Sequence, residues 1–188
     1  KTEILPKPIW HSGVDFVNAD FQQEQFFLLY SLNPKINFEQ SLVLAVLNAI
    51  IGDTMSSRLF QSLRENSGFC YNVYSFVNLF IDCGFWCFYA TSSKSNCLNV
   101  ANNLIKNVDE FFKEKITEQE LNYAKQHLCG EEIMACEDME QRMKQMTRFY
   151  FSGYEQYSHE DIIKKIEKIS IQDLYDFINN IKVNLKKF

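Results

Sequence analysis

Residues 38–51, FEQSLVLAVLNAII, set the strongest constraint on this chain. Leu42, Val43, Leu44, Ala45, Val46, Leu47, Ala49 and Ile50 surround the helix they predict almost completely. Such a helix cannot lie on a surface, because any side turned to water would expose large aliphatic groups. It has to be sandwiched between other elements. The 188-residue chain has the material to do this: 46% of it is hydrophobic, including 17 Phe. That composition supports a sizeable core and argues against disorder.

The elements around the helix are also legible. SGVDFVNAD (12–20) and EQFFLLYSL (24–32) read as strands, and the continuous apolar run Phe26–Tyr30 suits a strand buried on both faces. Pro34 and Asn37 open the apolar helix and Gly52-Asp53-Thr54 breaks it, with Thr54 expected to cap the next helix. On that helix Met55, Leu59 and Leu63 fall at i, i+4, i+8 and form its core face, with Arg58, Ser62 and Glu65 turned elsewhere. Gly68 supplies the turn that stops it. Strands are expected near 71–80 and 83–92, the second bulky on both faces, and then a helix near 95–114. Thr117-Glu118-Gln119-Glu120 is a capping box and starts a long helix whose buried stripe runs through Leu121, Ala124 and Leu128 to Met139, Met143 and Met146. Ser158 and Ser170 open two more helices, the last reaching about Asn180. Strands in pairs and helices in runs give an α+β fold, an antiparallel sheet with helices packed on one face. Residues 1–11, with the LPKP motif, read as a linker, and 12–188 as a single domain. The chain opens on Lys1, which reads as a fragment or a processed product.

Charge and cysteine usage narrow the class. A net charge of −5 without a clustered basic face argues against nucleic acid as a partner. Six cysteines without a C-x-x-C pair, in a chain this rich in apolar residues, read as reduced thiols and favour the cytoplasm. No apolar run approaches a membrane span and no signal peptide opens the chain, so no membrane partner is expected.

Catalytic motifs are missing. His11, His127 and His159 belong to no H-x-x-E-H or inverted motif, and there is no G-x-S-x-G, P-loop or G-x-G-x-x-G. His127 and Glu131 stand one helical turn apart, two groups where a zinc site needs at least three, and a solvated helix face explains them better. Cys83 and Cys87 share a strand face and read as small core residues. What remains is MSSRLFQSLRENSGFCYNVYS (55–75), with Arg64 near a helix end and Tyr71 across the Gly68 turn. Each has an ordinary role open to it: an arginine suits a helix C-terminus, and a strand tyrosine packs its ring while tethering its hydroxyl.

That stretch resembles the signature of the C-terminal, non-zinc half of pitrilysin/insulinase-type metallopeptidases, the group that includes mitochondrial processing peptidase. The likeness extends to QFFLLYSL, LVLAVLNAIIGD, DCGFWCFYA, the helix TEQELNYAKQHLCG and the closing IEKISIQDL. The resemblance implies a domain without its own cofactor, predicted inactive alone, that closes a peptide-binding chamber against a zinc-bearing half. It further implies that Arg64 grips a substrate backbone carbonyl and that Tyr71 donates its hydroxyl to the developing oxyanion. The alternative is a catalytically inert structural or interaction subunit of the same fold. Three departures stand out: Gly52-Asp53-Thr54 replaces a glycine run, Cys70 takes a position where Ala is common, and the chain stops at VNLKKF before a further expected strand. Period-two alternation also puts Tyr71 in parity with Val73 and Val77, which points it at the core unless the regular strand starts after it.

Overall fold

A computed structural model describes residues 9–18, 20–32, 36–80 and 82–182. Among the described residues three strands form one antiparallel sheet: β1 (Glu24–Ser31), β2 (Asn72–Leu79) and β3 (Gly84–Ser92). β3 lies in the centre, with Glu24 opposite Ser92 on one side and Asn72 opposite Thr91 on the other. The helices are α1 (Phe38–Asn48), α2 (Cys97–Phe111), α3 (Glu118–Glu137), α4 (Met139–Ser152), α5 (His159–Lys168) and α6 (Ile171–Lys182). Two π-helical segments, Ala49–Asp53 and Phe60–Asn66, lie between α1 and β2.

The main core forms where α1 and its neighbours meet one face of the sheet. Leu44, Val46, Leu47 and Ile51 are fully buried, as the all-round apolar helix requires. Facing them from the sheet are Val73 and Val77 of β2, Trp86, Phe88 and Ala90 of β3, and Phe26, Leu28 and Tyr30 of β1. Asn48 and Ser75 are buried polar residues that meet inside this apolar layer. Asn48 accepts hydrogen bonds at Oδ1 from Trp86 Nε1 (2.8 Å) and Ser75 Oγ (2.7 Å), and its amide donates to the Ser75 carbonyl (3.3 Å). One side chain thus ties α1 to both β2 and β3. Just beyond it, Gly52 approaches Ser75 so closely that an added Cβ would lie 2.7 Å from the Ser75 nitrogen. The helix layer can sit this low on the sheet only because position 52 has no side chain.

Capping chemistry sets the helix starts as the sequence suggests. Capping boxes open α1 (Asn37, Gln40), α3 (Thr117, Glu120) and α5 (Ser158, Asp161). Ser170 and Asp173 exchange the corresponding hydrogen bonds at α6. A smaller core gathers Phe149, Ile162 and Ile166 around Phe38, whose ring stacks on Tyr157 at 4.7 Å.

Four expectations are corrected. Of the strand expected over 12–20, the described residues take no regular structure and are exposed. β1 is not buried on both faces: Phe27, on the side away from the helices, is 55% exposed. The Thr54 hydroxyl caps no backbone N–H of the next segment; it donates back to the Ala49 carbonyl (3.4 Å), closing the π turn, and accepts from the Ser56 hydroxyl (3.0 Å). The long helix from Thr117 is two helices. Asp138 takes extended backbone, and its carboxylate accepts from the Glu140 and Gln141 amides to start α4 afresh. The break rotates the methionine stripe out of register with the core, and Met139, Met143 and Met146 are exposed.

Replacing Asn48 with Leu should cost about 2–4 kcal/mol, since it strands the Trp86 and Ser75 donors in an apolar layer. Chemical denaturation with an unchanged m-value checks this. A cost below about 1 kcal/mol would mean that the three-way bond does not organise the layer.

Candidate functional site

Two arginines six residues apart in the 55–75 stretch have opposite situations. Arg58 is fully engaged. Its Nε and Nη2 bind both oxygens of Glu120 (2.6 and 3.1 Å), Nη1 reaches Glu114 (3.1 Å), and Nη2 also donates to the Lys115 carbonyl (2.8 Å). Its guanidinium also lies 5.5 Å from the Phe111 ring centre. Burial would push the Glu120 carboxyl up, but hydrogen bonds from Arg58 and Thr117 outweigh it and hold the group below the usual carboxylate range. This bidentate clamp fastens the start of the segment to the α2–α3 connection. Leu59 and Leu63 bury the segment's inner face, as expected, whereas Met55 lies in the preceding turn and is exposed.

Arg64, on the last turn of the π-helical segment, is exposed, and among the described residues it forms no ion pair. Its guanidinium lies over the Phe60 ring, 5.0 Å from the centre, a contact that stiffens the side chain without neutralising it. The π-helical wind is itself notable, because such segments are rare and gather at functional positions. Ser67 closes the segment by donating its hydroxyl to the Ser62 and Leu63 carbonyls (2.8 and 3.0 Å). Gly68 then reverses the chain at φ 62°, with open space around it, so the glycine is required by backbone conformation and not by packing.

Tyr71 follows that turn. Its backbone N–H donates to the Thr91 carbonyl (3.0 Å), which fixes it beside the end of β3, but the regular strand begins one residue later. Tyr71 therefore escapes the alternation that buries Val73 and is 57% exposed. Among the described residues its hydroxyl has no hydrogen-bond partner. Between the two candidates, burial pushes the Cys70 thiol up while the Arg64 charge pulls the other way. Cys70 is thus a buried thiol and no nucleophile, and Arg64 is close enough to act electrostatically on the residue preceding Tyr71. A charged donor and a neutral donor, both unengaged, flank one glycine turn. They can bind carbonyl oxygens but cannot by themselves supply an attacking group or a base.

His127 and Glu131 share a face of α3, with Nε2 3.4 Å from Oε1, and both are solvent-facing. They do not fit a metal: no third ligand joins them, and among the described residues no group of three His, Cys, Asp or Glu is placed to hold one. His159 has a role the sequence did not suggest. Its Nδ1 lies 2.6 Å from Glu132 Oε1, which also accepts from Gln145 (2.9 Å), so one carboxylate joins α3, α4 and α5. The partners stand 13 and 27 residues from Glu132, and no local motif could have paired them. All six cysteines are free. Among the described residues no helix is long and apolar enough to cross a membrane.

Fold and site together define an α+β domain that presents polar donors, and among the described residues no three potential metal ligands are grouped. A family profile described as "Peptidase M16 inactive domain" matches residues 3–128. The chain belongs to this family, as a non-catalytic domain of M16 zinc proteases. It is similar to an uncharacterized zinc protease of Rickettsia felis, 29% identical over 96% of this chain and 43% of that protein. An uncharacterized zinc protease of Streptomyces coelicolor is 31% identical over 72% of this chain and 30% of the relative. The chain thus spans less than half the length of these relatives. Among solved structures, the fold matches a peptidase M16 inactive domain from Pseudomonas fluorescens with TM-score 0.72 and 19% identity, covering 83% of this chain and 38% of that one. It also matches a chain of complex III2 from Candida albicans with TM-score 0.69 and 14% identity, over 87% of this chain and 41% of that one.

Because the domain uses the hydrogen-bonding capacity of neither side chain, Tyr71→Phe should change unfolding free energy by less than about 0.5 kcal/mol, and Arg64→Ala, which also loses the Phe60 contact, by no more than about 1 kcal/mol. Gly68→Ala should cost about 1–2 kcal/mol through backbone strain alone. Urea titration of the three variants checks the contrast; a large loss in Tyr71→Phe would assign the hydroxyl to the fold.

Proposed function

We propose that this chain is the substrate-gripping, non-catalytic half of a zinc metalloendopeptidase, closing a peptide chamber against a zinc-bearing half of the same family. The observation that carries the reading is the pair Arg64 and Tyr71. Both are solvent-directed, both lack hydrogen-bond partners among the described polar groups, and the contacts that hold them, the Phe60 ring against Arg64 and the backbone bond of Tyr71 to Thr91, use none of their side-chain hydrogen-bonding capacity. A scaffold has no use for two uncommitted donors on a rigid glycine-turn corner. A peptide site does.

In this account the zinc-bearing half supplies the hydrolytic chemistry and this chain supplies no metal ligand. Arg64 donates its planar fork to a substrate backbone carbonyl and so fixes the register of the peptide. Tyr71 donates its O–H to the scissile carbonyl oxygen as negative charge develops there. A preorganised donor at that position contributes about 3–4 kcal/mol to the barrier reduction. The Phe60 ring under Arg64 and the Thr91 bond to the Tyr71 backbone keep both donors near their working geometry before substrate arrives.

The test is hydrolysis of a quenched fluorescent peptide library by the chain alone, and then mixed with the H-x-x-E-H-bearing half encoded with it. Silence alone and turnover on mixing is expected. Tyr71→Phe should then lower kcat about 100-fold or more with little change in peptide affinity, and Arg64→Ala should raise KM. Chelator-sensitive turnover by the chain alone would contradict the proposal. A stable but hydrolytically silent complex would instead support an inert structural subunit.

A further inference from the structure

A cavity of about 640 Å³ opens where α1, α3, α4 and α5 meet β2. Leu42 and Ala45 of α1, Val77 and Leu79 of β2, and Phe149 of α4 give it apolar walls. Leu42, Val77 and Leu79 are only partly buried, so these walls are incompletely covered by the domain itself. Five charged or imidazole side chains also line the cavity: Asp53, Glu132, Lys144, Arg148 and His159. Three of them are committed. Glu132 holds His159 and Gln145, and Lys144 is bound to Glu140 (2.7 Å). Asp53, which ends the π-helical segment after α1, and Arg148, on α4, are both exposed. Among the described residues neither forms a hydrogen bond or ion pair, with the other or with any third group. The cavity is also remote from the gripping corner along the sheet. It meets β2 at Phe76, Val77 and Leu79, which pair with Cys87, Trp86 and Gly84, whereas Tyr71 stands at the Thr91 end of β3.

The geometry points to a binding site for a short zwitterionic peptide, with its ammonium at Asp53, its carboxylate at Arg148 and its apolar side chains against Leu42, Val77 and Phe149. One uncommitted charge of each sign on a single cavity selects a ligand that carries both charges, because a ligand with one charge meets repulsion as well as attraction. The Arg148 fork matches a carboxylate in two parallel hydrogen bonds, and the Asp53 carboxylate accepts from an ammonium. The volume falls within the range of about 300–1,000 Å³ that holds drug-sized ligands, more than a single amino acid fills. Backbone chemistry favours a peptide over other zwitterions. In the strand order β1-β3-β2, β2 is an edge strand among the described residues, and it supplies three of the lining residues. Unpaired N–H and C=O groups on such an edge suit the backbone of an added peptide. Phe149 is the one buried residue of α4, so a ligand that joins Arg148 to Asp53 also fastens this helix to the segment after α1. The site does not depend on the peptidase reading: its residues and its ligand are the same whether or not Arg64 and Tyr71 serve a zinc-bearing half.

The test is calorimetric titration of the purified chain with trileucine, N-acetyl-trileucine, trileucine amide and free leucine. Saturable one-to-one binding of trileucine is expected, with each blocked peptide and leucine itself about 10-fold weaker or more. Asp53→Asn should weaken trileucine about 10-fold or more yet bind the acetylated peptide as the unaltered chain does, and Arg148→Gln should behave in the same way toward the amide. These matched pairs separate a lost contact from a lost fold, since a misfolded variant weakens every peptide, and the blocked peptides decide the question on the unaltered chain alone. No saturable binding, equal affinity for free and blocked trileucine, or leucine binding as tightly as trileucine would each overturn the inference. So would binding that is lost in Arg64→Ala and kept in Arg148→Gln, which places the peptide at the gripping corner instead.

Discussion

The bond that the rest of the domain depends on is the three-way contact of Asn48 with Trp86 and Ser75. Apolar packing alone is tolerant of rotation and sliding, and an all-round apolar helix has no preferred face. One buried polar side chain removes that freedom, because only one register satisfies the indole N–H and the serine hydroxyl at once. With α1 fixed, Gly52 is brought against Ser75, and the π turn ends at Thr54. The next segment then starts from a defined point and is fastened again by Arg58 on Glu120. Arg64 and Tyr71 inherit their positions from this sequence of constraints.

The site is therefore a product of division of labour between similar residues. Arg58 spends four of its five N–H donors on structure, and Arg64, six residues later, spends none of its own among the described residues. Cys70 is buried between two exposed functional candidates, and Val73 is buried two residues after Tyr71. The turn at Gly68 makes this possible by delaying the start of the regular strand until Asn72. Had β2 begun at Tyr71, pleat alternation would have directed the phenol into the core.

Local chemistry was legible in the sequence where it was self-contained. Capping boxes at Thr117 and Ser158, the turn at Gly68, the buried strand β3 and the sandwiched helix all follow from short-range patterns. Misreadings arose where a long-range contact or one irregular residue decided the outcome. Asp138 resembles any polar helix residue until its carboxylate is seen capping a new helix, and that choice turns three methionines to the surface. Phe27 lies in an unbroken apolar run, and nothing local distinguishes a strand covered on both faces from one with an exposed face. The segment before β1 has strand-like alternation but no partner strand among the described residues. The Glu132–His159 pair joins positions too distant for any motif. Arg64 and Tyr71 stood out in the sequence through their resemblance to a family signature; their exposure and lack of partners became visible only in three dimensions.

In the proposed function Tyr71 acts on the transition state and not on the bound peptide. The most direct measurement compares, in the complex with the zinc-bearing half, the affinities of a substrate peptide and of its phosphonate analogue for wild type and Tyr71→Phe. A phosphonate oxygen carries the charge that the scissile carbonyl only develops, so a donor tuned to the transition state should distinguish the two. The variant should lose about 100-fold in phosphonate affinity and little in peptide affinity. An equal loss for both ligands, or none for either, would contradict it.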